Sequence, residues 1–263
     1  VNAGYKEIVL TGIHTAGYGE DMKDYNFAQL LRDLDNRVEG LKRLRISSIE
    51  ASQVTEEVID VMNESNTIVR HLHIPLQSGS NSVLKRMRRK YTMDMFADRL
   101  EKLRKALPGL AVTSDVIVGF PGETEEEFME TYQFVKEHKF SELHVFPYSK
   151  RTGTPAARME NQIPDDIKHD RVRRLIALSD QLAKEYASQF EGEILEIIPE
   201  ERYKEDPESG LFVGYTDNYL KVKVEATEEM IGKLVKVKIT KAGYPYNEGQ
   251  FVRVLDDAVS MSS

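Results

Sequence analysis

The stretch SDVIVGFPGETEEEF, residues 114–128, decides the fold class of this chain. Val116, Ile117 and Val118 belong to an apolar run of strand type. The glycines and proline of 119–122 break that run, and Thr124 with Glu127 three residues on has the spacing of a capping box, which starts a helix. A strand that passes through a glycine-containing loop into a capped helix is the βα unit of a parallel sheet. Such a loop lies at the carboxyl end of its strand, where backbone N–H groups are open and where α/β proteins bind small molecules. The same loop also reads as a capped turn whose glycines serve close packing. The motif alone leaves both readings open.

Working outward, further Val/Ile/Leu-rich runs at 7–10, 44–49, 71–74 and 142–146 join 111–118 as strands, and helical periodicity marks 27–35, 56–63, 82–88, 94–106 and 125–138 between them. Strands that alternate with helices imply parallel pairing through right-handed crossovers. Five strands are too few for a closed eight-stranded barrel, so a partial (βα) barrel or an open sheet is expected. After Pro164 a long helix carries Ile167, Leu175, Leu178, Leu182 and Tyr186 at helical spacing and ends near Gly192. The period then changes to two. KVKV at 221–224 and VKVKI at 235–239 alternate lysine with valine or isoleucine between glycines, the pattern of a small all-β domain. The expected organisation is an α/β part at 1–150, a connecting segment with the long helix at 151–190, and a β domain at 191–258.

Composition narrows the function. The 263 residues contain no cysteine, which excludes disulfides, thiol nucleophiles and any thiolate-held iron–sulfur cluster within this chain. No apolar run reaches the length of a membrane span and no secretory signal is visible, so a cytoplasmic location is expected. The first residue is Val1, as expected of a fragment. A net charge of −8 argues against wholesale nucleic-acid affinity, yet two local patches stand out. KRMRRK supplies Lys85, Arg86, Arg88, Arg89 and Lys90. In the β region Lys221 and Lys223 share one strand face, as do Lys236 and Lys238, with Tyr215, Tyr219, Tyr244 and Tyr246 interleaved, although acidic side chains outnumber basic ones there. Lysines beside exposed rings suit backbone contact and base stacking on RNA. A run of charge is otherwise a solvated helix face.

Taken together, TGIHTAGYG (11–19), RISSIEASQVTEE (45–57), HLHIPLQSGSNSVLKRMRRKYT (71–92), SDVIVGFPGETEEEF and HVFPYSKRTGTPAARM (144–159) resemble, in order, the signature segments of the radical S-adenosylmethionine methylthiotransferases. GYTDNYLKVKVE (214–225) resembles the TRAM domain that follows in those enzymes. SSIEAS and TGIHTAGYG are most similar to the branch that modifies threonylcarbamoyladenosine next to the tRNA anticodon. The resemblance implies a six-stranded partial (βα) barrel whose first strand is missing here, S-adenosylmethionine as cofactor, and 4Fe-4S clusters held by cysteines that this chain lacks. It implies a fragment that binds the tRNA anticodon arm and S-adenosylmethionine weakly and does not turn over. No residue is assigned to catalysis. For the cofactor, the resemblance points to Asp115 and the Val118–Gly119 backbone along the adenosine, Thr11 and Gly12 at the methionine amino group, Ser48 and Glu50 at its carboxylate or the ribose, Gln77 and Ser78 at the ribose, and Phe146 against a ring. For RNA it points to the KRMRRK cations, Tyr148, Arg151, and Lys221, Lys223, Lys236 and Lys238.

A competing reading starts from His71 and His73. An H-x-H on a strand points both imidazoles to one face, and with His144 and Asp115 on other strands it is the ligand pattern of a metal-dependent barrel hydrolase. No third histidine has ligand spacing, and such pairs more often hydrogen-bond inside the barrel. A non-catalytic RNA-binding module is the remaining alternative.

Overall fold

The computed structural model describes residues 1–255. Its first part alternates strands and helices: β1 (Glu7–Leu10), α1 (Phe27–Arg37), β2 (Arg43–Ile46), α2 (Glu56–Glu64), β3 (His71–His73), α3 (Asn81–Arg86), α4 (Met93–Ala106), β4 (Ala111–Val118), α5 (Glu125–His138) and β5 (Glu142–Pro147). β1 pairs with β2, and β3 with β4 and β4 with β5, all parallel. Backbone bonds from Leu44 N–H to Thr67 O, Val69 N–H to Leu44 O and Ile49 N–H to His73 O carry the ladder across the seam between the two sheets. The strands therefore follow one another in chain order around a partial barrel. Thr124 completes the capping box that the sequence predicts; Asn26 completes another, and Thr55 and Thr92 accept the N–H three residues on.

The alternation of the strands sorts side chains into two layers. Leu44, Ile46, Leu72, Val112, Val116 and Leu143 are buried under the helices, in one core with Phe96, Leu100, Phe128 and Val135. Each fully buried side chain of this kind contributes about 1.5–3 kcal/mol. The opposite face carries Arg43, Arg45 and Ser47, His71 and His73, Thr113 and Asp115, and His144 and Phe146, and this polar face is where the chemistry of the molecule collects.

Up to β5, two elements end two or more residues short of expectation, each for a local reason. β2 ends at Ile46 rather than residue 49, because the chain there leaves β1 and Ile49 bonds to β3 instead. α3 stops at Arg86 rather than 88, because Arg88 adopts a left-handed φ of 58° that no helix continues.

α6 (Asp165–Ser188) buries Leu175, Leu178 and Leu182 against the α/β core and Ala187 against the second unit. Its expected apolar stripe begins later than the sequence implies: Ile167 is exposed in the first turn. Beyond α6 come β6 (Ile194–Arg202), β7 (Leu211–Thr216), β8 (Lys221–Glu225), β9 (Val235–Lys241) and β10 (Asn247–Val254), closed into a five-stranded barrel in the order β10-β8-β7-β6-β9. Val222, Val224, Val235, Val237 and Ile239 fill its interior while the alternating lysines face out, which is the period-two pattern made physical. Gly214 admits the close crossing of β6, since a Cβ there would lie 2.3 Å from Ile198 O. Residues 256–258, expected within this domain, lie outside the described residues.

The barrel docks on the polar face of the sheet. Arg43 donates to Glu196 O and Tyr215 O at 2.6 and 2.9 Å, and Arg45 to Thr216 O and Asp217 O at 3.3 Å each. Glu7 pairs with both arginines, at 2.6 Å from Arg45 Nε and 3.6 Å from Arg43 Nη1. From the turn after β7, Tyr219, with a left-handed φ of 67°, stacks on His71 at 4.2 Å between ring centroids.

Candidate active site

A cavity of about 570 Å³ opens where the barrel meets the sheet. Glu7, Val9, Arg45 and Ser47 form one wall, His71, His73, Thr113, Asp115, His144 and Phe146 another, and Glu200, Tyr215 and Tyr219 of the barrel the third. Its polar groups form one hydrogen-bonded line. His71 Nε2 and His73 Nδ1 meet Thr113 Oγ1 at 3.0 and 2.9 Å, His73 Nε2 lies 3.3 Å from Asp115 Oδ2, and His144 Nδ1 lies 3.5 Å from Asp115 Oδ1. A hydroxyl has one proton to donate, so Thr113 donates to one of the two imidazoles and accepts from the other, while His73 Nε2–H donates to Asp115. Burial, with Arg45 and His73 adding positive charge nearby, pushes His71 well below the usual imidazole range and keeps it neutral. The hydrogen bond from His73, with the charge of His73 and His144, holds the Asp115 carboxyl below its ordinary value against the effect of burial.

This geometry does not serve the hydrolase reading. His71 and His73 both bond the Thr113 hydroxyl, His71 is sealed by Tyr219, and no group of three or more metal-ligating side chains is assembled among the described residues.

A second cavity, of about 310 Å³, lies at the carboxyl ends of the strands, with Ile117, Phe120, Tyr148 and Met159 among its apolar walls and Gln77, Arg86, Arg88 and Arg89 at its polar side. Tyr148 packs edge-on against Phe120 at 5.3 Å, and its hydroxyl is buried without a hydrogen-bond partner among the described residues. Gln77 is fixed at φ 61° because its N–H and C=O both bond to β4, at Asp115 O and Ile117 N–H.

The loop of VGFPGE is itself closed. Val118 O accepts from Tyr148 N–H at 2.8 Å, and Gly119 N–H donates to Glu123 Oε2 at 2.6 Å. Glu123 and Arg171 of α6 form a buried ion pair at 2.7 Å, each under 5% exposed. Gly119 has φ 73°, and a Cβ there would lie 2.2 Å from Lys168 Cγ. The glycine thus lets α6 cross the loop, and the Val118 carbonyl and Gly119 N–H are engaged within the protein. The apolar wall supplied by Ile117 and Phe120 is what this motif presents to a ligand.

Other residues singled out by the sequence divide similarly. Phe146, 49% exposed, and Asp115 line the larger cavity. Of the serines after β2, Ser47 lines it rather than Ser48, because the alternation Arg43, Arg45, Ser47 selects the odd positions. Ser78 is fully buried and bonds to Thr131 of α5, away from both cavities. Thr11 and Gly12 are exposed in the loop after β1, and Glu50 lies 4.0 Å from Arg89. Arg45 and Thr113 escaped sequence reasoning, and Tyr219, expected as an exposed ring beside the barrel lysines, stacks on His71 instead. The strand alternation pointed to the first two; nothing in the sequence placed Tyr219 against His71.

In KRMRRK, Arg86 grips Glu127 with both terminal nitrogens, at 2.9 and 2.5 Å, and also reaches Gly122 O. Lys85, Arg88 and Lys90 are exposed with no ion pair among the described residues. The Arg86 bond, with Ser82 and the Thr124 N–H also donating, draws Glu127 down to about 2. A carboxyl depressed on folding stabilises above its ordinary value of about 4.3 and loses that contribution as pH falls towards its folded value. Both side chains reach solvent, so the contribution is about 1–2 kcal/mol. Glu127→Gln should therefore be less stable than the parent by about that amount at neutral pH, and urea titrations should show the gap shrinking from about pH 4 downward. A gap independent of pH would exclude this origin.

On the barrel, Lys221 sits over Tyr215 and Tyr246, and Lys223 over Tyr203 and Tyr246, with ammonium-to-centroid distances of 4.7–5.7 Å. Lys238 is exposed and Lys236 lies 4.0 Å from Glu196. Tyr244 belongs to the docking contact instead, donating to Glu142 at 3.0 Å.

A model of the Radical SAM superfamily matches residues 1–135, over half of the chain. The chain belongs to the radical SAM superfamily. The TRAM domain model matches residues 189–252, which contain the closed barrel. Over 260 residues the chain is 78% identical to threonylcarbamoyladenosine tRNA methylthiotransferase MtaB of Bacillus subtilis, covering 99% of this chain and 58% of that protein. It is 40% identical over 253 residues to the tRNA-2-methylthio-N(6)-dimethylallyladenosine synthase of Thermoanaerobacter sp. (strain X514), covering 96% and 53%. Among solved structures, coproporphyrinogen III oxidase from Escherichia coli, a radical SAM enzyme, aligns with a TM-score of 0.48 at 17% identity over 80% of this chain and 50% of that one. The chain spans about half the length of the curated relatives it matches.

For the cofactors of a radical SAM protein, the residues divide. The apolar walls of Ile117 and Phe120 beside an unpartnered Tyr148 hydroxyl fit a purine and its ribose. An iron–sulfur cluster does not fit this chain, which has no thiolate to offer. No helix among the described residues is long and apolar enough to cross a membrane.

Proposed function

We propose that this chain is the radical SAM and TRAM portion of a cytoplasmic tRNA methylthiotransferase acting on threonylcarbamoyladenosine next to the anticodon. The observation that carries this reading is the 78% identity, over 99% of the chain, to a protein named for that reaction. S-adenosylmethionine would supply the radical chemistry, and in its reductive cleavage this chain's share is binding. Ile117, Phe120 and Tyr148 would enclose the adenine, Gln77 would meet the ribose, and Thr11 and Gly12 would face the methionine end. The cysteines for cluster ligation are not in this chain, so by itself it binds but does not turn over. Lys85, Arg88 and Lys90 beside the smaller cavity, with Arg151 and the ring-held Lys221 and Lys223, would meet tRNA phosphates, each contact blind to sequence.

The test is a chimera. The 260 matched residues of Bacillus subtilis MtaB are replaced by this chain and the hybrid is expressed in a strain lacking mtaB. Mass spectrometry of nucleosides digested from its tRNA should show the methylthio form of threonylcarbamoyladenosine restored. A stable, iron-loaded hybrid that leaves threonylcarbamoyladenosine unmodified would refute the assignment.

A further inference from the structure

The two relatives are named for adenosines with opposite substituents: threonylcarbamoyl carries a urea, a hydroxyl and a carboxylate, and dimethylallyl is a hydrocarbon. The walls of the larger cavity are polar in a way that distinguishes them. Arg45 is fully engaged by Glu7 and by backbone carbonyls of the barrel. Both nitrogens of His73 are taken, by Thr113 and Asp115, and His71 lies sealed beneath Tyr219. His144 is different. Its Nδ1 faces Asp115, its Nε2 has no hydrogen bond among the described residues, and the ring is half exposed at the cavity wall. Two residues along the same strand and on the same side, Phe146 offers a ring face on which a base can stack.

We infer that His144, oriented by Asp115, reads the carboxylate of a threonylcarbamoyl substituent and so separates this substrate from one with a hydrocarbon substituent. The inference rests on the proposed function and deepens it. A carboxylate brought to Nε2 accepts from the one ring nitrogen left without a partner, while Asp115 faces Nδ1 on the other side of the ring and fixes its orientation. Glu7 is neutralised by Arg43 and Arg45, and Asp115 lies between two imidazoles, so neither presents a bare negative charge to the incoming group. Glu200, exposed on β6, is left to accept from the urea N–H or the hydroxyl. A dimethylallyl group in the same place would strip water from His144 and Asp115 and return no hydrogen bond, the arrangement by which a polar site rejects an apolar analogue.

The test measures binding, so it does not depend on turnover. Labelled anticodon stem–loops carrying threonylcarbamoyladenosine, its carboxyl methyl ester or dimethylallyladenosine are titrated with the chain and followed by fluorescence anisotropy. The free acid should bind about tenfold or more tightly than either of the others, the difference a charge-assisted hydrogen bond makes. His144→Ala should abolish that preference while leaving the affinities for the ester and the dimethylallyl form unchanged, and Asp115→Asn should reduce it. Equal affinity for all three stem–loops, including none measurable, overturns the inference, as does a preference that survives in His144→Ala. A preference lost in His144→Ala beside an inactive chimera would uphold this contact and reject the proposed reaction. An active chimera without the preference would do the reverse.

Discussion

Replacing Arg171 by methionine is expected to remove about 3–5 kcal/mol of stability, a large part of what a domain of this kind has. The Glu123–Arg171 pair is buried on both sides, and deleting one partner strands the other charge in a dry interior. The pair sits beneath the strand-to-helix loop of VGFPGE and ties three elements together: Gly119 N–H bonds to Glu123, Arg171 also reaches Glu123 O, and Arg171 belongs to α6. Glu123→Gln should cost less, because Glu125, 3.5 Å from Arg171 Nε, still faces the guanidinium. The double variant Glu123→Gln/Arg171→Met should cost clearly less than the sum, because neither buried charge then remains. The Arg171→Met deficit also has a pH signature. Burial already pushes the Glu123 carboxyl up, with the Gly119 N–H and Arg171 opposing it, and losing Arg171 raises it further. An acid raised on folding is stabilised in its protonated form, so the deficit should ease as pH falls and be greatest above neutrality. Urea unfolding of the parent, the singles and the double checks all of this. Additive losses, or an Arg171→Met deficit below about 1 kcal/mol, would show that the pair is not the clasp of the loop.

Residues 114–128 contain both what local chemistry encodes and what it does not. The strand, the turn and the capped helix of residues 114–128 were legible because each follows from local chemistry: β-branched residues, a left-handed glycine, and a threonine with a glutamate three residues on. The reason for Gly119 was not legible, because the atom that forbids a side chain there belongs to Lys168, far along the chain. The same holds for the site. Asp115 and Phe146 could be placed on one face by counting in twos, and the histidines likewise. That Thr113 joins His71 to His73, that Tyr219 seals His71, and that Ser78 turns towards Thr131 depend on contacts between distant segments. Charge runs suffer most. KRMRRK is five cations in the sequence, but a helix and a left-handed Arg88 separate them into one that clamps Glu127, one that faces Glu50, and three that face outward.

That separation fixes how the patch should behave with RNA. If Lys85, Arg88 and Lys90 each meet one phosphate of an anticodon stem–loop, each contributes roughly 0.7–0.9 to the slope of log affinity against log salt. Replacing all three by alanine should flatten the slope by about 2–2.7 units. Raising salt from about 50 to 200 mM should then weaken the parent about 20- to 40-fold more than the variant. Arg86→Ala should behave differently. Its guanidinium is held by Glu127 and Gly122 O, so its loss should lower thermal stability and leave the slope near that of the parent. The lysines of the barrel should account for the slope that remains in the triple variant, since Lys221 and Lys223 are kept in place by the rings of Tyr203, Tyr215 and Tyr246 whether or not the helix patch is intact. Anisotropy titrations at four or more salt concentrations separate these cases. An unchanged slope in the triple variant would make KRMRRK a solvated helix end and leave RNA binding to the barrel.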